Sequence, residues 1–158
     1  MAVINVTSGN QAILVLGNTS GLATPGAANS LVVPFVQDIT VNATPGTVRY
    51  STLDSTASSA FTTVNENSIS LNALVDEDVF FGSSNTANQV ANDGLLTTSI
   101  NKTEVNFSVA FEGTDGGDYY VSGSGFIGGL APSASIDQAV WITPVEIIVN
   151  GELTKATV

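Results

Sequence analysis

The chain contains no cysteine and no histidine, only three basic residues and a single tryptophan among its 158 residues. The missing cysteines exclude a disulfide framework and a thiolate nucleophile, and the missing histidines remove the usual general base and the commonest transition-metal ligand. Neither staple is needed, because a globule of this length buries roughly 70% of its unfolded surface. The opening MAVINVTSGN has neither a basic region nor the apolar stretch of a secretory leader. No run approaches the ~20 apolar residues of a membrane span. The expected compartment is therefore the cytoplasm, or a particle assembled there.

Arg49, Lys102 and Lys155 stand against fourteen acidic residues, for a net charge of −11. That balance excludes a surface built to neutralise phosphates or anionic lipid. Charged residues make up only 11% of the chain and hydrophobic ones 43%, too apolar for acid-driven disorder. The remaining surface, made of Ser, Thr, Asn, Gly and Ala, suits areas covered by further copies of the chain, although an acidic protein of a halophilic or marine setting has the same composition. Asparagine sequons at Asn5, Asn18, Asn42, Asn101 and Asn106 follow from that richness in Asn, Ser and Thr.

Gly123, Gly125 and Gly128 in YYVSGSGFIGGL spell G-x-G-x-x-G. A dinucleotide site needs a helix opening on the last of these glycines. Here GGLAPSAS follows, in which Gly129 and Pro132 oppose a helix. The motif therefore predicts a strand whose glycines serve backbone geometry.

KTEVNFSVAFE (102–112) alternates Val105, Phe107, Val109 and Phe111 on one face with Glu104, Asn106, Ser108, Ala110 and Glu112 on the other, the pattern of a half-buried strand. The turn GTDGGD then predicts an antiparallel hairpin over 102–127. Further strands are expected at 11–16, 31–41, 47–52 and 68–74, and over 136–150 with a break at Pro144. The segment 83–94 predicts one short helix ending at Gly94. Two polar segments, 18–30 and 54–67, predict mobile loops, either ordering against a partner or simply disordered at the surface. Asp76, Glu77 and Asp78 in VDEDVF read as a solvated, dipole-favourable cap, with structural calcium or a carboxylate pair as lesser readings. Trp141 reads as a core or subunit-interface residue.

The order of these features resembles the phage major tail protein, or tail tube, family. The resemblance lies in SISLNALVDED (68–78), AFEGTDGG (110–117), YYVSGSGFIGGLAPSAS (119–135) and IIVNGELTKA (147–156), and above all in Gly123 to Leu130 and the Gly-x-Leu-Thr segment at 151–154; it covers about half of the chain. It implies a mainly β fold, an antiparallel β-sandwich with one short flanking α-helix, forming a single domain over 1–158 with terminal arms and mobile loops near 18–30 and 54–67. It implies a non-enzymatic virion structural protein without cofactors, made in the host cytoplasm, that forms stacked homohexameric rings conducting DNA. The implied partners are tape-measure, tail-terminator and baseplate or adaptor proteins, with or without a contractile sheath. Six copies would carry a formal charge of 6 × −11 = −66, which would keep DNA from adhering to the wall. On this reading Glu104 and Glu112 face the lumen, and Asp54, Phe61 and Glu66 mark an inter-subunit loop. A capsid decoration protein and a calcium-dependent, carbohydrate-binding adhesin are the alternatives.

Overall fold

The structure is a computed structural model that describes residues 12–18, 23–27, 29–53, 56–84, 88–111, 113 and 115–158. Its elements run β1 (Ile13–Asn18), β2 (Leu31–Val33), β3 (Val36–Tyr50), β4 (Ser59–Leu74), α1 (Glu77–Phe81), α2 (Gln89–Ile100), β5 (Glu104–Ala110), β6 (Tyr119–Gly128), β7 (Ser133–Ser135), β8 (Gln138–Val149) and β9 (Thr154–Thr157). The strands form one sheet in the order β2-β1-β5-β6-β8-β4-β3, with β7 on β8 and β9 on β6. The fold is thus mainly β and antiparallel, as expected. The hairpin of β5 and β6 is also as expected, with Val109 opposite Val121.

A single sheet makes both layers by coiling. β2 and β3 lie at opposite ends of the strand order, yet only Pro34 and Phe35 separate them. Three residue steps span at most about 11 Å, so the two edges must meet at this corner. Phe35 turns it with φ of 55°, a conformation costly for a bulky side chain, and its carbonyl accepts the Leu74 N–H at 3.3 Å. Leu14, Leu16 and Val33 from one end of the sheet consequently share a core with Ile69, Leu71 and Ala73 from the other. Val105, Phe107 and Val109 sit at its centre, as their alternation predicts. Phe107 is fully buried, which favours the fold by roughly 1.5–3 kcal/mol.

The helical region holds more than expected: the helix does break at Gly94, as expected, but α1 precedes it and a further helical stretch follows it. Asp76 caps α1, its carboxylate accepting the Val79 N–H at 3.1 Å, with Glu77 and Asp78 in the first turn, where negative charge offsets the helix dipole. Asn88 caps α2, its Oδ1 accepting from Val90 N–H at 3.0 Å. Its Nδ2 donates to the carbonyls of Asn29 at 2.6 Å and Leu16 at 3.2 Å, which ties the helix start to β1. Gly94 does adopt the left-handed φ of a helix-ending glycine, 73°. The chain nonetheless resumes its helix beyond it, because Leu95 drops into the core beside Phe80 and Val90.

The segment 54–67 also differs. From Ser59 onward it is strand, paired with β3 all the way to Tyr50. Pro45 does not end β3, because β3 is an edge strand and a register shift between Pro45 and Thr47 absorbs the missing donor. β8 likewise runs unbroken through Pro144, which falls between the stretch paired to β7, ending at Ile142, and the stretch paired to β6, starting at Glu146. Of the expected loop 18–30, the described part packs on the chain itself. Thr24 to Ala27 form a turn with Gly26 at φ 77°, Ala23 and Pro25 are buried, and the Ser108 hydroxyl donates to the Ala23 carbonyl.

Candidate functional site

The sheet buries one face and leaves much of the other open. Residues directly opposite in an antiparallel ladder share a face, so the registers set the open face out in rows. Asn42, Ser68, Ile148, Phe126 and Glu104 form one row across five strands. Thr40, Ser70, Glu146 and Gly128 form the next. Asp38, Asn72 and Pro144 lie beyond it, while Thr44 with Glu66 and Ser124 with Asn106 lie on the other side. Shallow grooves follow these rows, lined by Asn42, Glu66, Glu146 and Ile148 in one case and by Asp38, Ser70 and Asn72 in another.

Asp38, Glu66, Glu104 and Glu146 are the carboxylates in these rows, and no Lys or Arg occupies any of them. They are not equivalent. Asp38 accepts from the backbone N–H of Asn72 at 3.1 Å and from its Nδ2 at 2.8 Å, fixing the shift in β3 register beside it. Glu104 Oε1 accepts from Asn150 Nδ2 and from the Ser124 hydroxyl, both at 2.9 Å. These bonds, the Asn150 one foremost, hold its carboxyl below the usual carboxylate range against a small opposing effect of partial desolvation. The same contacts pin the segment where β8 ends, opposite Gly125, and β9 takes over, opposite Ser122, along one side of β6. Glu66 and Glu146 are exposed.

Of the residues singled out from sequence, Glu104 lies on the open face and Glu66 joins it, rather than belonging to a loop. Glu112 and Asp54 lie outside the described residues. Phe61 projects from a ribbon formed by the far ends of β3 and β4, its ring 6.1 Å from that of Tyr50. β8 pairs with β4 only from Ser68 onward, so over 47–62 the two strands pair, among the described residues, only with each other. A bare two-stranded ribbon is marginally stable in water, and this one exposes Val48, Tyr50, Leu53 and Phe61. Trp141 is 57% exposed, so the core half of its reading is replaced: the residue lies beyond the end of the buried cluster. Glu146 was missed, although the alternation in VEIIVN, with Val145 and Ile147 buried, places it outward.

The glycine motif belongs to β6, which runs through Gly128 without a following helix. Gly125 is required for close approach, since a Cβ there would run into the Ile148 carbonyl. A Cβ on Gly123 would meet Phe107 Cζ at 3.1 Å, while one on Gly128 would meet nothing within 4 Å. Among the described residues no group of three acidic side chains is arranged to hold a metal ion, and no helix is long and apolar enough to cross a membrane.

No protein family and no curated protein matches the chain in sequence. Solved structures do match in shape. The tail of an empty gene transfer agent (GTA) particle with C6 symmetry superposes with a TM-score of 0.67 at 14% identity, over 96% of this chain and 99% of the other. The chain has the tail-tube fold. The SPP1 tail tube superposes with a TM-score of 0.65 at 12% identity over 97% of this chain and 80% of that one. The sheath-tube complex of an extracellular contractile injection system, PVC, in its extended state, gives 0.60 at 12% identity over 97% and 93%. The correspondence extends well beyond the half of the chain that carried the resemblance, and takes in the long β3–β4 pair.

Proposed function

We propose that the chain is a non-enzymatic tube subunit of a virion tail or a related particle, assembling as six-membered rings that stack into a hollow conduit. The observation that carries this reading is the near full-length correspondence of fold with a C6-symmetric helical tail. The open face supports it: four carboxylates and no cation on a broad, otherwise uncharged sheet surface suit a wall past which DNA must slide without adhering. On this reading the open rows line the lumen and the outer edge of β3, which pairs with no other strand among the described residues, joins the sheet of the next copy. The 47–62 ribbon, with its exposed Tyr50 and Phe61, lies against neighbouring copies and is stabilised there. Tape-measure, terminator and baseplate or adaptor proteins are the partners such a tube requires, and a sheath surrounds it if the particle contracts.

Negative-stain microscopy of the purified protein at high concentration tests the proposal. Hollow filaments with sixfold rings are expected. Trimers or monomers that never polymerise would count against a tube and for a decoration protein.

A further inference from the structure

Asn150 is followed by Gly151 where β8 ends and the chain crosses to β9, and no other asparagine in the chain precedes a glycine. Both residues are exposed. Gly151 lies outside the ladders, its N–H donates to nothing among the described residues, and open space surrounds its Cβ position. A backbone nitrogen so placed, next to a side-chain amide and shielded by no side chain of its own, is the nucleophile that asparagine deamidation requires. Two contacts oppose the reaction. Asn150 Nδ2 donates to Glu104 Oε1 at 2.9 Å, which holds the amide toward β5, and the Asn150 N–H donates to the Ser124 carbonyl at 2.8 Å.

We propose that Asn150 and Gly151 form a self-modification site, at which succinimide chemistry converts Asn150 to aspartate or isoaspartate, and that Glu104 sets the rate by holding the Asn150 amide. The Gly151 nitrogen attacks Asn150 Cγ and a C–N bond forms, closing a five-membered succinimide. The Cγ–Nδ2 bond breaks, and Nδ2 leaves as ammonia with the proton that the glycine nitrogen gives up. Water then opens the ring at either carbonyl, leaving aspartate or, where the chain continues through the former side chain, isoaspartate. Glu104 faces a donor before the reaction and a carboxylate after it. Two carboxylates at hydrogen-bond distance repel, and the Ser124 hydroxyl, which donates to Glu104 at 2.9 Å, can satisfy only one of them at a time. The junction that Glu104 pins then opens and loosens β9, which is paired to β6 over Tyr119 to Ser122 alone. The bond that slows the reaction is thus the bond its product destroys, so the change runs one way. All participating groups belong to one copy of the chain, and the inference stands apart from the tube reading.

The test incubates the full-length protein at mildly alkaline pH, folded and in urea, and follows Asn150 by peptide mapping with mass spectrometry and by isoaspartate methyltransferase labelling. In urea Asn150 should be converted ahead of every other asparagine. In the folded chain it should react about tenfold or more slowly, the worth of one hydrogen bond to a charged group. Glu104→Ala, in samples that keep the circular dichroism of the fold, should bring the folded rate close to that in urea, and Glu104→Gln, which keeps an acceptor oxygen, should fall between. Asn150→Asp should lower the urea midpoint, and adding Glu104→Gln to it should restore the midpoint, because the exchanged pair again sets a donor amide against a carboxylate. Equal rates at Asn150 in the folded and the urea-unfolded chain overturn the proposal even if the alanine variant does not fold. So does a folded Glu104→Ala variant that reacts no faster than the unmodified chain, conversion of another asparagine ahead of Asn150 in urea, or an Asn150→Asp midpoint that Glu104→Gln leaves unrestored.

Discussion

Gly82 and Gly94 meet backbone to backbone between α1 and α2. A Cβ on Gly94 would run into the Gly82 nitrogen and the Phe81 and Phe80 backbone, and one on Gly82 would run into the Asn92 carbonyl. Both residues hold positive φ, 97° at Gly82 and 73° at Gly94, and Ser83 N–H donates to the Ala91 carbonyl at 2.9 Å beside them. This contact folds the helical hairpin tightly enough for Phe80 and Leu95 to enter one core. Gly94→Ala therefore suffers both a strained φ and an overpacked contact, together about 2–4 kcal/mol, read as a lower denaturant midpoint. A variant as stable as the original would mean the hairpin opens without cost.

The three glycines of β6 make a sharper case, because only some have a steric reason to be glycine. Gly125→Ala should cost about 1–3 kcal/mol through its collision with the Ile148 carbonyl. Gly128 has open space around its Cβ position and no positive φ, so Gly128→Ala should be neutral or stabilise by up to about 1 kcal/mol. A nucleotide site would need each glycine for the ligand, and ATP, NAD or FAD at saturating concentration would then raise the melting temperature. No such shift is expected.

Glu104 supplies a pH-dependent element. Its carboxyl titrates below the ordinary range for a glutamate in the folded chain because Asn150 and Ser124 hydrogen-bond the charged form. A depressed folded pKa gives stabilisation that is present above the unfolded value and lost as pH falls through the folded one. Glu104→Gln should lower the urea midpoint at neutral pH, and the gap to the unmodified chain should close once pH drops below the ordinary carboxylate range. A gap unchanged across that range would show that the carboxylate charge contributes nothing there.

Where the sequence alternates between apolar and polar residues, the fold was legible. Val105, Phe107 and Val109 marked a core-facing strand, and GTDGGD marked its turn. What escaped was structure set by register and by distant contacts. The polar stretch 59–67 carries no one-sided apolar pattern, and its strand state depends on pairing with β3. The corner at Pro34–Phe35, where two sheet edges meet, leaves no periodic trace. Asn88 resembles any other asparagine in SSNTANQVANDG, although its side chain caps α2 and reaches β1. The open face was half legible: alternation placed Glu104 outward and would have placed Glu146 there too, but only the ladder registers bring Glu66 and Asp38 onto the same surface.

The ribbon of β3 and β4 should be separable from the folded body. Thr47 and Thr62 are direct partners, so replacing residues 48–61 by Asn-Gly would close the hairpin with a two-residue turn matched to the strand twist. A cut reaching Asn67 would be less informative, because Asn67 is buried and Ser68 begins the pairing with β8. The shortened chain should keep its circular dichroism and cooperative melting while failing to form long filaments. Filaments of normal length would remove the ribbon from the subunit contacts.

Charge on the open face bears most directly on the conduit. Glu104 is a poor residue to reverse, because lysine there would face the Asn150 amide and break the junction between β8 and β9. Glu66 and Glu146 are exposed on the same face, and changing both to lysine alters a six-membered ring by 6 × 4 = 24 charges, each residue moving from −1 to +1. DNA would then meet a wall that gains counterion release on contact, and its passage should slow at low salt and recover as salt screens the attraction. Particles carrying Glu66→Lys with Glu146→Lys should therefore show well-formed tails with delayed, salt-dependent DNA ejection. Ejection at the normal rate at every salt concentration, from tails that look intact, would mean that these rows face outward and that another surface lines the lumen.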